Sequence, residues 1–398
     1  MYAGRGIVTT LVFSSRLPPT LDANRFSAAI AVLRGQGVAL ADLTTSNPTA
    51  VGLMYPSKLL VTLADARALS YEPSPFGLLS ARQAVAGEMS TQDQHVDPDQ
   101  VVLTASTSEA YSLLFKLLCD PGDQVLTPEP SYPLFTLLTQ LDAVEAMPYQ
   151  LVNHGVWSID RDSLVQAWTP RTRAILVVSP NNPTGSMLRY EDREWLVAFA
   201  RERNLALVSD EVFSGYPIAP RPDASSLLGE DRVLTFTLGG LSKSAGLPQV
   251  KLGWMVVSGP VAAVAEATAR LEIICDTYLS VSTPVQVAAP DLIAAGAAVR
   301  DQINTRLLTN YRSLLAMATV HPAVRVLPPE GGWCAVIQVP STVGEEALVL
   351  QILQESHVVV HPGYFFDFHK GSHLVVSLLP EPDLFSRAVA TVLRHIDP

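Results

Sequence analysis

Four short stretches hold residues able to do more than solvate a surface. Residues 240–254, GLSKSAGLPQVKLGW, contain Lys243 and Lys251, two of only five lysines in the chain. A lysine amine shielded from water can add to a carbonyl and form an imine. The stretch LVSDEVF ends an apolar run on Asp210. A carboxylate placed there is costly, on the order of several kcal/mol, unless a cation faces it. In TASTSEA, Ser106, Thr107 and Ser108 fall where a helix begins, and the N–H groups of a helix start bind phosphate. In VVSPNNPTG, Asn182 sits in a turn that follows an apolar run. An imine-forming amine, a carboxylate for a protonated pyridine nitrogen and a phosphate cradle are together the groups that pyridoxal phosphate requires. Taken singly, each stretch has an ordinary reading: a loop lysine, a helix cap, a serine N-cap, a turn.

These residues need elements to hold them. From about residue 100, short apolar runs alternate with amphipathic ones: QVVLTA, TSEAYSLLFKLLCD, DQVLTPEP, RAILVVSP, YEDREWLVAFARERN, LALVSDEVF, RVLTFTLGG and KLGWMVVSG. Apolar strands separated by helices predict an α/β fold with a mostly parallel sheet covered on both faces. Ligands of such sheets bind beyond the carboxyl ends of the strands. Ser106, Asn182, Asp210 and Lys243 all fall at or just after a strand end. After about residue 285 a long helical stretch leads into VRVLPPEGGWCAVIQVP, HLVVSLL and a final amphipathic helix, the texture of a smaller α+β domain. The spacing predicts a large cofactor-binding domain over 45–285 and a small domain built from 1–44 plus 286–398.

Composition narrows the classes. A chain of 398 residues is long enough for two domains, and 48% hydrophobic against 16% charged residues indicates a well-buried globular protein. A formal charge of −11 argues against nucleic acid or an anionic membrane as the main partner. Cys119, Cys275 and Cys334 show no metal-ligand spacing and fit buried thiols in a reducing cytoplasm. The N-terminal apolar patch, broken by Ser and Arg, is too short and polar for a signal peptide or membrane span. A cytoplasmic protein is the expectation, and no metal site is expected.

In this order, the motifs resemble those of the class I/II aminotransferases among the fold-type I pyridoxal-phosphate enzymes, from roughly residue 40 to the end. The resemblance implies that Lys243 forms the cofactor imine, Asp210 pairs with its pyridine nitrogen and Asn182 bonds its ring oxygen. It implies a phosphate cradle of Ser106, Thr107 and Ser108, helped by Ser242 and Lys251, and a ring from Tyr132 in PSYP stacked on the cofactor. Tyr71 in YEPSPFG would enter the phosphate site of a second subunit, making the active unit a homodimer. The activity implied is amino transfer between an amino acid or amine and a keto acid. A lyase or decarboxylase would use the same residues, because fold does not fix the reaction. A regulatory relative would usually carry an added DNA-binding domain, for which there is no room before residue 40.

The sequence also departs from that family. Lys251 stands where an arginine usually grips the phosphate, and a lysine supplies a point charge rather than a fork. Gly240 replaces a usual serine, and Phe213 a usual tyrosine. In HLVVSLL, with the serine set at Ser377, Val375 occupies the place of the arginine that holds the substrate carboxylate in a bidentate pair. Either Lys370, His373 or an N-terminal arginine such as Arg16 or Arg25 replaces it, or the substrate has no α-carboxylate there. HPGYFFDF is expected to bring Tyr364, Phe365 and Phe366 to the mouth of the site.

Overall fold

A computed structural model describes residues 13–18 and 22–397. The N-terminal apolar patch lies largely outside them. The large sheet contains β1 (Val101–Thr104), β2 (Gln124–Glu129), β3 (Glu145–Asn153), β4 (Trp157–Ile159), β5 (Thr172–Val178), β6 (Ala206–Asp210), β7 (Thr235–Gly240) and β8 (Gly253–Ser258). Their spatial order is β1-β8-β7-β6-β5-β2-β3-β4. Pairing is parallel from β7 through β6, β5 and β2 to β3, while β8 and β4 run against their neighbours. The expected mostly parallel sheet is therefore present, with one reversed strand inside it and one at its edge.

The central strands are buried throughout and mostly apolar because both faces are covered. β1, β6, β7 and β8 are buried at every position. On one face, Leu114 and Phe115 of helix α1 (Thr107–Leu118) and Leu271 of a helix over Val261–Tyr278 pack on Phe236 and Met255. On the other, Leu196 and Phe199 from the helix Tyr190–Arg203 meet Ile175 and Leu207. The smaller sheet is β9 (Arg325–Leu327), β10 (Cys334–Val339), β11 (His361–Pro362) and β12 (Ser372–Ser377), antiparallel in the order β9-β10-β12-β11. A helix over Thr283–Ala318 runs from one sheet to the other, with Ala289 and Leu292 packed beside the large sheet and Leu307 and Leu314 in the core of the small one. The fold is thus a large, mostly parallel sheet flanked by helices plus a smaller antiparallel unit. No helix of the described residues is long and apolar enough to cross a membrane, and the described residues hold no cluster of metal-ligating side chains.

One glycine fixes how the strands deliver the site. A Cβ on Gly253 would lie 2.9 Å from the carbonyl carbon of Ser106 and 3.0 Å from Oγ1 of Thr104. Its absence lets β8 close against the corner where β1 becomes α1. Gly253→Ala is expected to cost about 1–3 kcal/mol, the range for overpacking a tight contact. A fall in thermal midpoint of several degrees checks this; an unchanged midpoint would show that the corner can shift freely.

Candidate active site

Three neighbouring strand ends converge. β5 leaves the sheet beside Asp210, where the amide of Ser179 donates to the Asp210 carbonyl at 3.0 Å. Asp210 is opposite Leu238 of β7, and Lys243 follows five residues later on the single-turn helix α2 (Leu241–Ser244). The Lys243 amine sits 5.1 Å from the Trp333 ring centroid and 5.7 Å from that of Phe213. Phe213 and Trp333 meet edge to face at 5.4 Å, and Tyr216 meets the same indole at 5.2 Å. The lysine therefore has an aromatic wall of residues that follow β6 and precede β10.

Burial sets the electrostatics. Asp210 is 9% exposed, and its carboxyl is pushed above the usual range by desolvation. Three groups partly oppose that rise: the Val212 amide at 3.2 Å, the Tyr111 hydroxyl at 3.0 Å and the positive charge of Lys243. Lys243 is pushed down from the ordinary lysine value, again first by burial, against the attraction of Asp210. Desolvation thus disfavours the charged form of each group, and only its neighbours offset this. The arrangement yields an amine readily deprotonated and a carboxylate that gains from any further cation placed before it.

The remaining expected residues surround this centre to different degrees. Ser106 caps α1 by accepting from the Glu109 amide at 3.2 Å, and Glu109 in turn accepts from the Ala105 amide at 2.6 Å. That leaves the first-turn amides of Thr107 and Ser108, which a helix cannot satisfy internally. All three hydroxyl residues, like Ser242 beside the lysine, are part-buried. Lys251 is exposed, at φ +60°, two residues before Gly253 and hence near the Ser106 corner. Tyr132 is 42% exposed and edge-on to Phe135, which contacts Tyr111; its hydroxyl is held un-ionised first by burial and then by the Asp210 charge. Asn182 precedes a cis proline bond, and its Oδ1 is buried without a partner. Tyr71 stands apart: it is 70% exposed, in a cleft with Leu279 and Gln286, and does not reach Lys243 within one chain.

The donors fit pyridoxal phosphate on the structure's own terms. Asn182 keeps a buried polar atom unpaired, Asp210 is a buried carboxylate short of cations, and the start of α1 offers free amides. Sequence reasoning missed several supporting residues. Asn181 ties the turn down through Pro130 O (3.0 Å), Thr184 (2.8 Å) and Ser131 (2.9 Å). Tyr111 holds Asp210. Tyr216 donates to the backbone carbonyl of Lys243, and Tyr55 to that of Gly246 at 2.7 Å. The doubled Asn of VVSPNNPTG, and a Tyr three residues beyond Phe213, were the visible signals.

Val375 is 1% exposed and packs with Trp157, Leu327, Val336 and Phe366. The substitute cations lie elsewhere. Arg25 pairs with Glu346, Arg16 donates to the Leu141 carbonyl, and Lys370 is exposed. His373 is buried, stacked on Phe368, and neutral because burial pushes its pKa down to about 4. Of the aromatics in HPGYFFDF, Phe366 joins the Val375 cluster, Phe365 packs between Phe26 and Tyr364, and Tyr364 is 40% exposed.

Val375→Arg is expected to destabilise the fold by several kcal/mol, roughly the cost of an unpaired buried charge. Val375→Leu, which stays apolar, should cost only about 1–2 kcal/mol. Comparing the thermal midpoints of the two variants checks this; an arginine variant as stable as the leucine one would mean that the wall has room for a cation.

The family description "aminotransferase class I and II" matches residues 54–384. The chain is similar to the alanine aminotransferase of Mycobacterium tuberculosis, 28% identical over 92% of this chain and 86% of that protein. It is similar to the glutamate-pyruvate aminotransferase of Escherichia coli, 26% identical over 92% of each. Its fold matches a solved Escherichia coli aminotransferase at a TM-score of 0.84 and 24% identity, over 97% of this chain and 98% of the other.

Proposed function

The chain belongs to the class I and II aminotransferase family, and from that premise we propose that it uses pyridoxal phosphate, held covalently by Lys243, to move an amino group between an amino acid or amine and a keto acid. The carrying observation is the buried Lys243 amine facing Asp210 at adjacent strand ends. When bound, the cofactor serves as an electron sink for charge developing on the substrate carbon.

The chain's own residues have separable tasks. Asp210, buried and fixed by Tyr111, would pair with the cofactor's ring nitrogen and favour its protonated form. Asn182 supplies the polar group for the ring oxygen. Ser106, Thr107, Ser108 and Ser242 receive the phosphate, with Lys251 as its point charge. Tyr132 covers the ring, and Tyr71 of a second copy completes the phosphate site in a cytoplasmic homodimer. With the cofactor and substrate in place, the Lys243 amine would carry a proton between neighbouring carbon positions, a task suited to an amine whose pKa burial has lowered. Trp333 and Phe213 limit water around that amine.

We place the large unit at 45–285 and the small one at 1–44 plus 286–398. Pairing of Ala41 with Val358 and the bond from the Ser377 amide to Leu43 support the inclusion of the N-terminal segment in the small unit. Relatives named for alanine and for glutamate with pyruvate make that pair the first substrates to try. The apolar wall at Val375 favours a second reading, elimination or decarboxylation of a less carboxylate-dependent substrate.

The purified yellow protein should lose its visible band when given the right L-amino acid or amine, and recover it with a keto acid. Ammonia and pyruvate released without any keto acid would instead establish a lyase. Borohydride reduction and peptide mapping should find the cofactor on Lys243, and attachment after Lys243→Ala would overturn the assignment.

Phe213 brings no hydroxyl to the site, so more charge stays on the ring oxygen that Asn182 serves. Phe213→Tyr should therefore lower the pH midpoint of the visible-band titration. Superimposable curves for the two proteins would refute that role.

A further inference from the structure

A cavity of about 480 Å³ opens between the two sheets, apart from Lys243. Its walls include Asn153 and Trp157 from the β3–β4 edge hairpin and Arg325, Gln338 and His373 from the small sheet. The cavity shares Trp157 and Leu327 with the packed cluster that holds Val336, Phe366 and Val375, and Lys243 is not among its walls.

Three observations mark the cavity as a site. An aromatic ladder forms part of its lining: Trp157 meets Phe368 at 6.2 Å, and Phe368 stacks on His373 at 4.4 Å. Among the described residues, twelve buried side-chain polar atoms lack a partner, and three belong to this lining: Nδ2 of Asn153, Nε1 of Trp157 and Nδ1 of His373. Trp157 and His373 are 7% and 5% exposed, so unmet polarity there is costly. Finally, Arg325 and Lys370 form no ion pair among the described residues, although the chain carries a net charge of −11. Of the carboxylates nearby, Asp160 accepts from the Ser163 amide as a helix cap, Glu129 accepts from His369 and Gln150, and Asp367 lies close enough to Glu129 and His369 to feel both charges.

We propose that this cavity binds an organic acid with a flat apolar body, an aromatic carboxylate in its simplest form. The ring would lie along the Trp157–Phe368–His373 ladder and the carboxylate would meet Arg325 and Lys370. Stacking and charge-assisted hydrogen bonds are complementary here because the lining offers both an aromatic ladder and two cations without an ion pair among the described residues. Such a ligand touches both sheets at once. The proposal is independent of the reaction at Lys243.

Calorimetric titration of the holoenzyme with benzoate tests it, with benzylamine as the same ring carrying the opposite charge and inorganic phosphate as charge without a ring. Benzoate should bind, and the other two should not at equal concentration. The double variant R325Q/K370Q should weaken benzoate at least tenfold while leaving amino transfer and the thermal midpoint unchanged. Absence of benzoate binding overturns the proposal. So does binding that survives the double substitution or that shifts the cofactor's visible band, since either places benzoate elsewhere. Phosphate binding as tightly as benzoate overturns the role of the aromatic ladder.

Discussion

The site depends on one electrostatic constraint: Asp210 and Lys243 are held at the same water-poor end of the sheet. Each is disfavoured as an ion by burial, and each is partly rescued by the other. A surface pair would contribute little and reorganise freely. Here adjacent parallel strands fix both backbones, so neither group can escape to solvent. The sheet keeps a carboxylate wanting a cation and an amine ready to lose its proton within one pocket, and the protein's polar supports converge on that pair.

Those supports explain how so short an element can aim a lysine. Helix α2 has four residues, too few to be stable alone. Its carbonyls are instead bonded from outside: Tyr216 caps Lys243 and Tyr55 caps Gly246 just beyond the turn. Arg300, itself ion-paired with Glu88, approaches the Ser244 carbonyl at 3.4 Å. Tyr55, Tyr216 and Arg300 come from three distant parts of the sequence. The lysine's position is therefore a property of the folded chain, set by tertiary hydrogen bonds rather than by helix propensity.

That distinction accounts for what could be read beforehand. The strands were legible because burial on both faces forces continuous apolar runs, and the placement of Asp210, Asn182 and Lys243 at strand ends followed from the same pattern. Tyr111 and Tyr55 were not legible: their roles rest on contacts 99 and 191 residues away in the chain. No local periodicity encodes such partners. The reversed direction of β8 was also hidden, since an apolar strand has the same pattern in either orientation. Arg16 and Arg25 looked like possible carboxylate binders only because sequence gives charge without place; one meets a helix carbonyl and the other a surface glutamate.

Val375 shows why a missing charge need not mean a damaged site. An arginine on that face of β12 would need a carboxylate, supplied by substrate or by the protein, to offset its burial. Without one, the charge would destabilise the contact between the sheets. Valine removes that dependence and lets Trp157, Val336 and Phe366 pack into a closed apolar cluster. Stability of the contact then no longer varies with substrate occupancy or ionic strength, as it would with an ion pair. Were a ligand to meet this wall, shape and dispersion would discriminate, with one methylene worth about 1–3 kcal/mol, instead of a bidentate charge pair that rejects anything lacking a carboxylate.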